Sequence, residues 1–177
     1  VSPSCYQKET GKRSDKVNLE KECKKGVVHA LFWNWKMRNS LDTICAQATA
    51  IGEGGIAILR LSGPRARDIA KTLFFPYAKR AAWKPRYLYL GEIREGDRLL
   101  DCALCAYFRA PYSYTGEDVV EFHCHGGMQA AKMVMEALLR AGARPAEPGE
   151  FTKRAFLNGK MDISAAEALA DQISALS

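Results

Sequence analysis

Glu121, His123 and His125 stand two residues apart in the run Val119-Val120-Glu121-Phe122-His123-Cys124-His125. Along an extended chain successive side chains alternate, so these three share one face with Val119 while Val120, Phe122 and Cys124 share the other. A carboxylate placed there accepts paired hydrogen bonds from a ligand that offers two adjacent N–H groups. The alternative is a metal site on His123 and His125, with Cys or Glu completing the zinc ligands. A hydrogen-bonded structural histidine is commoner than a ligand, so zinc is the lesser reading. Burying such a face is costly unless it is wet, hydrogen-bonded or binding something. Thr115-Gly116 supplies a turn before this strand, and Gly126-Gly127 ends it and lets a ligand or a helix come close.

Four other signals are weaker. Cys102-Ala-Leu-Cys105 has C-x-x-C spacing, but it lies inside a predicted strand, Leu99 to Phe108, where residues three apart face opposite sides. Knuckle glycines and a following helix start are missing, so these cysteines read as small buried hydrophobes. Gly52-Glu53-Gly54-Gly55 either cradles an anion through backbone N–H groups or is a tight connection between strands, and composition leaves both open. It is not a G-x-x-x-x-G-K-[ST] loop, because no Lys-Ser or Lys-Thr follows. Arg60, near the end of an apolar strand, needs either solvent or an acidic partner. Lys160, after Asn158-Gly159, reads by itself as a solvated loop lysine.

The elements that must hold these residues follow from periodicity and punctuation. Strands are predicted over 41–48, 56–61, 86–93, 99–108 and 119–125, with a hairpin at Glu95-Gly96-Asp97. Ser62-Gly63-Pro64 opens a helix with Ser62 or Gly63 as its cap, and Ile69, Ala70, Leu73 and Phe74 form its apolar stripe. Residues 76–85 read as a loop. A second helix runs over 128–141 and stops at Gly142. A short helical turn over 151–157 precedes Asn158-Gly159, and Ser164 with Glu167 forms a capping box for a further helix from Ala165.

The 177 residues carry a net charge of +6. Residues 1–40 hold 9 Lys/Arg against 4 Asp/Glu, whereas the remainder holds 17 against 16. The basicity therefore belongs to the first segment, and the rest has no global cationic field for nucleic acid, although a local patch is compatible with it. Residues 1–40 read as a disordered or non-native extension, with residues 1–36 outside the functional domain. The apolar patch Gly26 to Trp35 is far shorter than the ~20 residues of a membrane span. Six scattered cysteines do not form a disulfide framework and favour a reducing, cytoplasmic setting.

Asp42-Thr43-Ile44, Gly54-Gly55-Ile56, Leu59-Arg60-Leu61-Ser62-Gly63, Ser113 to Asp118, His125-Gly126-Gly127 and the long run Pro148 to Asp162 occur in that order. Together they resemble the N-terminal domain of the MnmE/TrmE family of tRNA modification GTPases, over roughly residues 41 to 177. The resemblance implies an α+β fold, a mixed β-sheet with flanking helices similar to the folate domain of the glycine-cleavage T-protein. It divides the chain into a folate-binding and dimerisation domain over 41–150 and the start of a helical domain over 151–177. It implies 5-formyl-tetrahydrofolate as cofactor, with Arg60, Glu121 and Lys160 at the ligand. It further implies a homodimer, an FAD-containing MnmG partner, and modification of C5 of the wobble uridine of tRNA. GTP, magnesium and potassium belong to a GTPase domain whose motifs do not occur in these residues. One departure is Ala50-Ile51-Gly52-Glu53, which replaces the family's proline-rich turn.

The chemistry agrees with the resemblance. A pterin offers an amino group beside a ring N–H, which suits Glu121, and the glutamate tail of folate suits cations such as Arg60 and Lys160. Tyr112, Tyr114 or Phe122 could stack on the rings, with Phe122 better placed for the core. A rival reading is a stand-alone folate-dependent aminomethyltransferase, which needs an acidic base; Glu121, Glu117 and Asp118 are its candidates.

Overall fold

The structure, a computed structural model, describes residues 42–162 apart from 51, 53 and 79–82, together with residues 164, 165 and 168. The expected extension over residues 1–40 lies outside the described residues, as does Glu167. Among the described residues the strands are β1 (Ile44–Gln47), β2 (Ile56–Ser62), β3 (Phe74–Pro76), β4 (Leu88–Glu95), β5 (Arg98–Phe108), β6 (Val119–His125) and β7 (Arg144–Pro145). The helices are α1 (Ala66–Leu73), α2 (Met128–Arg140) and α3 (Glu150–Leu157). The strands form one sheet in the order β3-β4-β5-β6-β2-β1-β7. Only the β1–β7 pair is parallel, so the sheet is mixed and the fold is α+β.

Alternation decides what each face does. Leu59 and Leu61 of β2, Cys105 and Tyr107 of β5, and Val120, Phe122 and Cys124 of β6 all point into the core. Ile69, Ala70 and Leu73 of α1 and Val134, Ala137 and Leu138 of α2 close that core from one side. Phe122 is fully buried against Phe74, with ring centroids 6.0 Å apart, so its role is structural. Cys102 is half-buried and Cys105 fully buried, the opposite facing that a strand imposes on residues three apart.

Two expected caps are placed differently. Ser62 is the last residue of β2, and α1 starts four residues later, after the N-cap Arg65, whose amide donates to Thr43 Oγ1 at 3.0 Å. Ser62 is drawn off because its hydroxyl donates to Glu117 Oε2 and meets Thr115 Oγ1, each at 2.7 Å. Gly63 serves close packing instead, since a Cβ there would stand 2.5 Å from the Asp42 carbonyl. Near the other end, the Ala165 amide donates to Asp162 Oδ1 at 2.7 Å, so Asp162 takes the capping role expected of Ser164. The 76–85 stretch begins with a strand residue, because Phe74–Pro76 pairs with Gly91–Ile93.

Candidate functional site

The sheet face opposite α1 and α2 carries the polar cluster. Register places Arg60 of β2 directly across from Glu121 of β6. Cross-strand neighbours of opposite charge interact, and here Arg60 Nε donates to Glu121 Oε1 at 2.7 Å. The guanidinium lies between two rings, 5.6 Å from the Tyr114 centroid and 5.8 Å from that of Phe151. Glu121 Oε2 has no hydrogen-bond partner among the described residues; the nearest donor is His123 Nε2 at 3.6 Å, beyond hydrogen-bond range. That nitrogen is itself buried without a partner.

Lys160 joins the cluster through the turn over residues 113–118. Asn158 Nδ2 donates to the Thr115 carbonyl at 2.7 Å, and a Cβ on Gly116 would stand 3.2 Å from Lys160 Cγ. Tyr114, from the same turn, covers Arg60 and meets Thr152 of α3 at 3.0 Å between hydroxyl oxygens. Register thus joins Arg60 of β2 to Glu121 of β6, while Lys160, three residues past α3, is placed against Gly116 of the turn that carries Tyr114. Tyr112 is elsewhere, exposed and beside Arg86 at 5.6 Å. Phe151, the second ring against Arg60, is a residue the motif reading missed.

The other acids are committed. Asp118 accepts from Tyr107 Oη at 3.0 Å and from the Ala110 amide at 2.8 Å. Glu117 accepts from Arg154, and neither acid is left as a free base. His125 does not join His123, because its Nδ1 lies 2.7 Å from Asp101 Oδ1 and its amide donates to Asp101 Oδ2 at 2.8 Å. Among the described residues no three His, Cys, Asp or Glu side chains gather to hold a metal. Gly126 admits neither ligand nor helix but the Gly54–Gly55 backbone. Its amide donates to the Gly55 carbonyl at 3.0 Å, and a Cβ there would collide with the Gly54 carbonyl oxygen.

A buried ionic network, also not anticipated, fixes α3 against the sheet. Arg154, 2% exposed, reaches Asp42 Oδ1 at 2.7 Å, Glu150 Oε1 at 3.0 Å and Glu117 Oε2 at 3.1 Å. Arg144 of β7 holds Glu150 with two further hydrogen bonds at 2.6 and 2.8 Å. Burial alone would raise the Glu150 carboxyl, but Arg144, the Glu147 amide and Arg154 outweigh it and hold the pKa down at about 2. The network explains why Val119, on the Glu121 face, is nonetheless buried. Its row of the sheet, Ile44–Ser62–Val119, lies where the 113–118 turn and α3 are bound.

These features define an α+β sheet domain whose polar cluster sits on the face away from α1 and α2 and is completed by the segment after its last strand. The profile of the family described as GTP-binding protein TrmE N-terminus matches residues 43–160, and the chain belongs to that family. It is 53% identical over 138 residues to the tRNA modification GTPase MnmE of Heliobacterium modesticaldum, covering 76% of this chain and 30% of that protein. The proteins of that description from Desulfitobacterium hafniense and Carboxydothermus hydrogenoformans are each 51% identical, with the same coverage. The chain thus spans under a third of the length of these curated relatives. Among the described residues no helix is long and apolar enough to cross a membrane.

Proposed function

We propose that this region binds 5-formyl-tetrahydrofolate in the service of tRNA modification. Glu121 would accept from the 2-amino group and ring N–H of the pteridine. Arg60 and Lys160 would meet the anionic part of the molecule. The observation that carries this reading is the Glu121 carboxylate itself, ion-paired through Oε1 and left with Oε2 free on an accessible face. A carboxylate so held is oriented, and pairing to adjacent N–H donors is the interaction it lacks. Among the described residues Arg60 donates a hydrogen bond only through Nε, which leaves its other N–H groups for an anion. When bound, the folate would supply a one-carbon unit.

The remaining roles follow from the family and from what its members are named for. The whole protein would act as a GTPase on C5 of the wobble uridine of tRNA, with an MnmG-type FAD protein as partner and in the cytoplasm. GTP, magnesium and potassium would be bound outside this chain. A homodimer is supported by the apolar part of the open face, where Leu88, Leu90 and Leu104 are exposed on the paired strands β4 and β5 and Ile56 is exposed on β2, beyond β6. Calorimetric titration with 5-formyl-tetrahydrofolate tests the folate reading, with Glu121→Gln as the variant. A charged hydrogen bond contributes about 1.5–3 kcal/mol, so the affinity should fall at least tenfold. Equal affinity in the variant removes the carboxylate–pteridine assignment.

A further inference from the structure

His123 is a polar group on the open face that the reading above does not use. Its ring extends from β6 two residues beyond Glu121, on the same face, between Ile58 of β2 and Leu104 of β5. Nε2 is buried, has no hydrogen-bond partner among the described residues, and lies 3.6 Å from Glu121 Oε2. A buried ring nitrogen without a partner costs free energy comparable to a lost hydrogen bond, so a group that pairs with it beside Glu121 gains that free energy. The three atoms Oε1, Oε2 and Nε2 read as acceptor, acceptor, donor when the ring carries its proton on Nε2.

The geometry points to His123 as the residue that selects the 4-oxo group of the ligand. A 2-amino-4-oxopyrimidine edge presents an amino N–H, a ring N–H and a carbonyl oxygen in sequence, donor, donor, acceptor. That order complements the row on the protein: Glu121 takes the two donors, and His123 Nε2–H donates to the oxygen. A 2,4-diamino ring replaces the oxygen by a second amino group, which puts a donor against Nε2–H, and its adjoining ring nitrogen carries no proton, which puts an acceptor against Glu121. The site rejects it because facing donors and facing acceptors leave these groups unpaired. This rests on the folate reading and adds a specificity to it. The same edge occurs in guanine, so the shared chemistry is the edge and not the ring system.

The test measures binding of 5-formyl-tetrahydrofolate and of its 4-amino-4-deoxy counterpart, which differ at C4 and in the proton on the adjoining ring nitrogen. The chain and its variants His123→Leu and His123→Gln are titrated with both, and the ratio of the two dissociation constants is read. A ratio is unaffected by any fraction of a variant that is unfolded. The chain should favour the 4-oxo compound by ~10-fold or more, as expected for one unpaired buried group. His123→Leu should cut that ratio several-fold, leaving only the part that Glu121 supplies through the ring N–H, and His123→Gln, which keeps an N–H donor, should retain more of the preference than His123→Leu. A ratio unchanged in His123→Leu overturns the inference, as does an equal loss in both variants. Failure of the unsubstituted chain to bind 5-formyl-tetrahydrofolate at all would instead sink the folate reading. Guanosine 5′-monophosphate forms the second arm: binding it in place of the folate, with the same dependence on His123, assigns the edge recognition to a guanine.

Discussion

Replacing Glu150 by Gln tests the buried network, and its pH dependence is the informative part. Glu150 Oε1 accepts from Arg144 at 2.6 Å and Arg154 at 3.0 Å, and Oε2 accepts from Arg144 and the Glu147 amide, each at 2.8 Å. These donors hold the carboxyl at about 2 against an ordinary value of 4.5. At ~1.4 kcal/mol per pH unit, that lowering is worth about 3 kcal/mol of folding free energy. A carboxyl lowered in the folded state stabilises fully above pH 4.5, and the contribution is lost as pH falls towards 2. Glu150→Gln removes the charge and turns one oxygen into a donor facing the arginines, as protonation of Glu150 also does. Urea unfolding of both proteins at pH 7, 5, 4 and 3 should show a gap of about 3 kcal/mol at pH 7 that narrows steadily below 4.5. Other carboxylates titrate in both proteins and cancel from the difference. A gap as wide at pH 3 as at pH 7, or one under about 1 kcal/mol at pH 7, refutes the claim that the ionised carboxylate fastens α3.

Two further outcomes follow from burial. Burial raises the Cys45 thiol to about 11, burial and then Asp101 raise Cys124 to about 12, and burial chiefly pushes Cys105 up further still. Labelling at pH 8 followed by peptide mapping should therefore find Cys102 modified and these three unmodified. Leu90→Lys places a charge in the middle of the exposed apolar strip, so the proposed dimer should sediment as a monomer with its fold intact by circular dichroism. A chain that sediments as a monomer without the substitution rejects that part of the proposal.

What could be read from the chain alone was what short-range periodicity encodes. The alternation in residues 119–125 was legible because strand geometry forces it, and it correctly separated Phe122 from Glu121. β3 and β7, three and two residues long, are too short to show any period. Their existence depends on partners supplied by β4 and β1. The Arg60–Glu121 contact spans 61 positions, and its register is set by the packed sheet rather than by either strand. Glu150 and Arg154 did carry a local signal, an acid four residues ahead of a base on one short helix. That spacing ordinarily marks a solvated helix face. Here the same pair is buried because Asp42, Glu117 and Arg144 arrive from three other segments.

That network also bears on why the cluster needs the segment after the last strand. Glu117 sits in the turn that supplies Tyr114 and Gly116, and Arg154 ties that turn to α3. α3 in turn presents Phe151 to Arg60 and leads directly to Asn158 and Lys160, which close on Thr115 and Gly116. Arg60 is consequently gripped from both sides while its Nε stays on Glu121. Loosening α3 would free the guanidinium to turn away, and the carboxylate would lose its charged neighbour without any change in the strands that carry them. The ionic network is thus a positioning device for the open face, and the Glu121 site cannot be separated from residues 150–160.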